Sequence, residues 1–181
     1  MTSTPDTPTL DSTQPALLIL DVDGVLTDGR VTYDSGGAET KTFHIRDGLG
    51  IKLAQRVGIE VAILTARVSP MVARRAAELG IEHVQQGFEN KVAGLDELLE
   101  RLGIESSTVA YMGDDLLDLP AMRRVGYRLA PADAVAEVRE LAEHVTQRPG
   151  GHGAVREAVE HLLRRADLYD RASRDYLGHG G

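Results

Sequence analysis

The stretch Leu20-Asp21-Val22-Asp23-Gly24-Val25-Leu26-Thr27-Asp28-Gly29 decides how the rest of the chain is read. The run before it, Ala16–Leu20, is unbroken and apolar, the pattern of a short strand buried on both faces of a parallel sheet. Two carboxylates one residue apart leave its C-terminal end, and Gly24 then permits a tight turn. One carboxylate in line with a phosphorus atom can attack it and form an aspartyl-phosphate. The other can protonate the departing alkoxide, then take a proton from the water that hydrolyses the intermediate. Two anions facing an anionic ester need a cation, and hard oxygen ligands select magnesium. Backbone N–H groups at Asp23 and Gly24 offer a small nest for phosphate oxygens. Asp-x-Asp-Gly also occurs in ordinary acidic turns and in calcium loops, so the surroundings must decide.

Working outward, Val61–Leu64, Val109–Met112 and Tyr127–Leu129 are further apolar runs of strand length, and Glu82–Gln85 is a weaker one. Helical patterns alternate with them. Asp47 is the expected cap of a helix running to Val57 and stopped by Gly58, and Ser69-Pro70 opens a helix that stops at Gly80. A third helix spans Asn90 to Leu102 before Gly103, and shorter ones are expected near Asp115–Arg123, Ala134–Leu141 and Gly153–Arg165. Strands alternating with helices of this length imply an α/β fold, with a mostly parallel sheet covered on both faces. Residues 30–46 break the rhythm: two alternating runs flank Ser35-Gly36-Gly37-Ala38, a β-hairpin inserted after the first strand. One domain is expected over residues 16–166. Residues 1–15 read as a disordered tail, residues 167–181 as a flexible one, and Gly150–Gly153 as a flexible lead into the last helix.

Composition excludes several functions. The 181 residues suffice for one domain with a substantial core. Aromatics are only 4% with no Trp, so that core relies on aliphatic side chains. With 28 acidic against 20 basic residues the net charge is −8, and no basic face is concentrated enough to attract nucleic acid or an anionic membrane. There is no cysteine, which removes disulfides, thiolate zinc sites and cysteine nucleophiles. The N-terminal stretch lacks a basic start and an apolar core, and no apolar run approaches the ~20 residues of a membrane span, so a cytoplasmic protein is expected.

Three further elements sit where phosphoryl chemistry needs them. Thr65-Ala66-Arg67 ends the second apolar run and offers a hydroxyl and a following N–H to phosphate. Lys91 opens a helix and can neutralise phosphate while keeping the nucleophile ionised. Asp114, Asp115 and Asp118 lie just past a buried run, with Asp118 one turn on and able to face back to the same point. Each has a bland reading: a helix-entry turn, a solvated Lys, an acidic helix start. Their order along the chain, each at the end of a different strand, makes the joint bland reading weak.

Taken together these motifs resemble the haloacid dehalogenase superfamily: DxD, then Thr, then Lys, then GDDxxD. DVDGVLTDG, FHIRDGLGIK, ILTAR, GFENK, YMGDDLLDLPAM and RPGGHGAVREAVE narrow the resemblance, over roughly residues 16–165, to the 3-deoxy-D-manno-octulosonate 8-phosphate (KDO 8-phosphate) phosphatases. Phosphatases of nine-carbon sugar acids such as N-acylneuraminate 9-phosphate are close relatives. The resemblance implies a Rossmann-like sheet with no cap domain, and a homotetramer whose hairpins pack together so that a neighbour helps close each site. It implies Asp21 as nucleophile and Asp23 as acid–base residue that also gives a backbone carbonyl to magnesium. Asp114 is then a magnesium ligand with Asp115 and Asp118 supporting it, and Thr65, Ala66, Lys91 and Gly24 hold phosphate. The tail from Gly150 is implied to reach a neighbouring site.

A small acidic sugar phosphate carries a carboxylate far from its phosphate, which calls for a basic group at the far end of the pocket. Arg67, with its bidentate fork, is the first candidate. His44, Arg46 and, from a neighbouring chain, Arg156 are further ones, and Thr27 is a candidate for other substrate contacts. The competing readings are a nine-carbon sugar phosphatase, a phosphomutase, and a non-catalytic tetramerisation module; the intact set Asp21, Asp23, Lys91 and Asp114 weighs against the last.

Overall fold

The computed structural model describes residues 14–178. In chain order the first half comprises β1 (Leu17–Leu20), β2 (Thr32–Tyr33), β3 (Glu39–Thr40), α1 (Ile45–Arg56), β4 (Glu60–Thr65), α2 (Pro70–Leu79), β5 (His83–Gln86) and α3 (Lys91–Leu102). The second half comprises β6 (Val109–Met112), α4 (Leu119–Met122), β7 (Tyr127–Ala130), α5 (Ala136–Leu141), β8 (His144–Val145), α6 (Ala154–Arg165) and α7 (Tyr169–Ser173).

β1 is wholly aliphatic and completely buried, so it takes the interior of the sheet, where both faces are covered. The six-stranded order is β5-β4-β1-β6-β7-β8, parallel throughout. The chain leaves β1 toward one edge through β4 and β5, then returns to the other side through β6, so β1 marks the switch point at which α/β sheets bind ligands. Alternation along β1 divides the core: Leu18 and Leu20 pack with Ile51, Val155 and Leu162, while Leu17 and Ile19 pack with Leu95, Leu98 and Tyr111. Among the described residues no helix is long and apolar enough to cross a membrane.

The expected hairpin is present as a two-stranded antiparallel ribbon, Thr32 opposite Thr40 and Tyr33 opposite Glu39. Asp34 Oδ1 accepts from Gly36 N and Ala38 N and closes its turn. No cap domain intervenes between β1 and α1.

Several boundaries differ from the sequence reading for identifiable reasons. α1 begins at Ile45, one turn earlier than an Asp47 cap implies. The Asp47 carboxylate, 1% exposed, instead accepts from Gly153 N (3.2 Å) and Arg156 N (2.8 Å) and caps α6. The expected helix over Asp115–Arg123 shortens to α4, because Asp118 gathers the N–H groups of Asp114 and Asp115 onto its own carboxylate. Gly150–Gly153 is no flexible lead. Gly151 N donates to Val25 O (3.0 Å) and Gly150 N to Asp133 Oδ1 (2.9 Å), pinning the segment beneath the loop after β1. Within the C-terminal stretch expected to be flexible, α7 forms and buries Ala172 and Ser173. The expected N-terminal tail lies outside the described residues except for Gln14, which donates to Val57 O, and the buried Pro15.

Candidate active site

Four strand ends build one site. Asp21 follows β1, Thr65 closes β4, Lys91 opens α3 after β5, and Asp114 follows β6. They line a cavity of about 230 Å³ together with Asp23, Ala66, Arg67, Asp115 and Asp118. The sequence placed these nine residues in the site, and the structure brings them together.

The geometry centres on Lys91. Its Nζ lies 2.9 Å from Asp21 Oδ1 and 2.7 Å from Asp118 Oδ1, with the residue 3% exposed. Burial alone would depress this ammonium, but the charges of Asp21 and Asp118 outweigh it and hold it above its ordinary value. Asp21 is pushed up to about 6 by burial, with Lys91 opposing the rise and Asp118 adding to it. Asp114 is pushed up to about 8 by burial and then by the charges of Asp21, Asp118 and Asp115.

Asp21, Asp114 and Asp118 each offer an oxygen within 4.8 Å of the others. Asp114 Oδ1 is buried without a hydrogen-bond partner among the described residues. Such a crowd of hard, under-compensated oxygens fits a divalent cation of the magnesium type. Asp118 is the least available of the three. Its Oδ1 accepts from Lys91 and from the Tyr111 hydroxyl (2.8 Å), and its Oδ2 from Asp114 N (3.0 Å) and Asp115 N (3.3 Å). It braces the loop and aims Lys91. Asp21 and Asp114 are the more available carboxylates for a metal.

Gly24 is where it is because nothing larger fits. At φ +88° its added Cβ would meet Asp114 Oδ2 at 1.9 Å, so the turn after Asp23 lies flat against the Asp114 carboxylate. Thr27 is buried in the same loop, its hydroxyl donating to Val22 O and accepting from Gly29 N, and there it shapes the loop.

The remaining candidates do not join the cavity within this chain. Arg46 and Arg156 line a second cavity of about 560 Å³ with Arg148. His44 is the residue before α1, half-buried, with its Nδ1 unpartnered among the described residues. Three side chains at the site were missed by the sequence reading. Lys41 pairs with Asp23 Oδ1, Glu39 pairs with Arg67, and Tyr111 holds Asp118. Period-two alternation places Glu39, Lys41 and Phe43 on one side of the extended chain, and Phe43 packs on the core, which was the available signal.

Known proteins place the chain in a family. Residues 83–157 match the haloacid dehalogenase-like hydrolase family. The 3-deoxy-D-manno-octulosonate 8-phosphate phosphatase of Escherichia coli K12 is 48% identical over 156 residues, covering 86% of this chain and 83% of that protein. The Haemophilus influenzae enzyme of the same name is 42% identical over 158 residues, covering 86% and 88%. The crystal structure of the Moraxella catarrhalis enzyme, in complex with magnesium, phosphate and KDO, superposes with a TM-score of 0.87 at 42% identity, covering 90% of this chain and 93% of that one. The chain belongs to the 3-deoxy-D-manno-octulosonate 8-phosphate phosphatase family of the haloacid dehalogenase superfamily.

Proposed function

We propose that this protein is a magnesium-dependent phosphatase that hydrolyses 3-deoxy-D-manno-octulosonate 8-phosphate to the free sugar acid and phosphate. The observation that carries the reading is the buried Asp21 carboxylate paired with Lys91 at 2.9 Å, with Asp23 and Asp114 at the same cavity. The name and bound molecules of the Moraxella catarrhalis relative support the substrate.

An Asp21 oxygen attacks phosphorus, the ester P–O bond breaks, and the departing sugar oxygen takes a proton from Asp23. Water then attacks the phosphorus of the aspartyl-phosphate and returns its proton to Asp23, and Asp21 is freed with phosphate. Lys91 keeps Asp21 ionised and neutralises phosphate charge, while Thr65 and the N–H groups beyond it hold phosphate oxygens. Magnesium, held by Asp21, Asp114 and the Asp23 carbonyl, supplies charge neutralisation between carboxylates and phosphate. At the cavity mouth Arg67 presents its guanidinium to the substrate carboxylate.

The cavity is small and has no cap domain over it, so a second copy of the chain is the natural cover. Exposed apolar side chains support this: Tyr33 on the hairpin is 62% exposed, Ile45 at its base 82%, and Val68 beyond Arg67 74%. A homotetramer packed through the hairpins buries them, and it is the setting in which Arg46 and Arg156 serve a neighbouring site.

The test is phosphate release with magnesium from KDO 8-phosphate and from N-acylneuraminate 9-phosphate, using Asp21→Asn as control. A higher kcat/KM for the eight-carbon ester is expected. The opposite order makes the protein a nine-carbon sugar phosphatase, and no release from either by the unaltered protein leaves the non-catalytic module.

A further inference from the structure

The hairpin reaches the reacting groups through Lys41. Its side chain is 1% exposed, and its ammonium forms an ion pair with Asp23 Oδ1 and lies 3.4 Å from Glu39 Oε1. The same Glu39 oxygen accepts from Arg67 Nη2 at 3.0 Å. Arg67 Nε is 3.9 Å from Asp23 Oδ2, too far for a hydrogen bond. The four side chains alternate in charge, Asp23–Lys41–Glu39–Arg67, and two of them belong to the hairpin.

A buried ammonium with two carboxylates on it is held in place, and it holds them in turn. The consequence for Asp23 is directional. Oδ1 is committed to Lys41, Oδ2 makes no hydrogen bond to Arg67, and Asp23 lines the cavity. A carboxyl group can accept on one oxygen and carry its proton on the other. Without Lys41 both oxygens could turn to the substrate, and displacing a proton donor by ~1 Å is enough to slow transfer by about 100-fold.

We propose that Lys41 is the positioning residue for the acid–base carboxyl group: it fixes the Asp23 rotamer so that Oδ2 faces the ester oxygen, and it ties that orientation to the docked hairpin. The role rests on the phosphatase reading given above. It separates Lys41 from Lys91, which touches the nucleophile and not Asp23.

The test compares two esters in the first turnover, read by rapid quench as release of the alcohol. A sugar phosphate has a poor alkoxide leaving group and needs the Asp23 proton, whereas p-nitrophenyl phosphate has a leaving group that departs without one. Lys41 lies on the hairpin, outside the six-stranded sheet, so Lys41→Met and Lys41→Ala leave the core intact. Lys41→Met is expected to slow the sugar-phosphate burst by about 10- to 100-fold, within the range of general-acid catalysis, with KM changed less than about threefold. The aryl-phosphate burst should fall less than about threefold. Added propylammonium should restore the sugar-phosphate burst of Lys41→Ala alone. Equal losses on both esters overturn the proposal, as does a raised KM with kcat intact, or no recovery with propylammonium. Any alkyl phosphate that the wild-type enzyme accepts serves in the comparison, so an error in the substrate does not disguise an error about Lys41.

Discussion

Asp118 was expected to support the metal, and its hydrogen bonds also give it a bracing role that a stability measurement can isolate. Its carboxylate is completely buried and accepts four bonds, from Lys91, Tyr111, Asp114 N and Asp115 N. Asp118→Ala removes all four. It leaves Lys91 with Asp21 as its remaining carboxylate and strands the Tyr111 hydroxyl in a fully buried position. Breaking a buried ion pair from one side costs about 3–5 kcal/mol, and an unsatisfied buried polar group about 1–3 kcal/mol. The terms overlap, since Lys91 keeps one partner and the Asp115 N–H can turn to water, so a total of about 3–5 kcal/mol is expected. For a chain of this size each kcal/mol moves Tm by about 2–4 °C, giving a fall of about 6–20 °C. The assay is thermal and urea unfolding in excess EDTA, so that metal ligation contributes nothing. Asp118→Asn should fall about halfway, because its one carbonyl oxygen can serve Lys91 and Tyr111 or the two N–H groups but not both. A metal-free Asp118→Ala protein within about 0.5 kcal/mol of wild type, with only its magnesium requirement altered, would refute the brace and make Asp118 a ligand.

Two other perturbations address the loop and the periphery. A Cβ at Gly150 would stand 1.8 Å from Gly24 O, so Gly150→Ala must push away the turn that carries Asp23; overpacking of about 1–3 kcal/mol and a kcat loss of at least about tenfold are expected, and wild-type kinetics would show that the contact is dispensable. Far from the site, the rings of His144 and His161 stack with centroids 3.7 Å apart. Burial holds both below the ordinary 6.5, with His144 and Arg165 lowering His161 further and Glu157 partly offsetting the fall at His144. Unfolded chains bind these protons more readily, so stability is complete above 6.5 and declines as the pH falls below it. His144→Phe keeps the stack and removes one titration, and its urea midpoint should vary less than wild type between pH 7 and 5; an unchanged slope contradicts the assignment.

What the sequence made legible, and what it hid, follows from how each contact is encoded. Asp21 and Thr65 sit directly after an apolar run and Asp114 one residue beyond another, and in a parallel sheet the ends of neighbouring runs must converge. Lys91 was legible for a related reason: it opens a helix whose start and Gly103 stop are both written locally. Asp47 misled because a capping residue names no helix, and its partners Gly153 and Arg156 are more than 100 positions away. Tyr111 was read only as part of a buried strand, since nothing local announces that its hydroxyl will find Asp118. β8 escaped because two residues carry no period. Lys41 is the instructive case: in a hairpin a lysine reads as a solubilising edge charge, the usual guard of an exposed strand. It faces inward because the chain continues to Phe43 on the core, and alternation then gives Lys41 the same side. A buried cation there needs carboxylates, and Asp23 and Glu39 are the ones within reach. The hairpin's inward face is therefore chemical, and Tyr33, paired opposite Glu39, shares it. The hairpin segment thus brings both a cation to Asp23 and a carboxylate to Arg67.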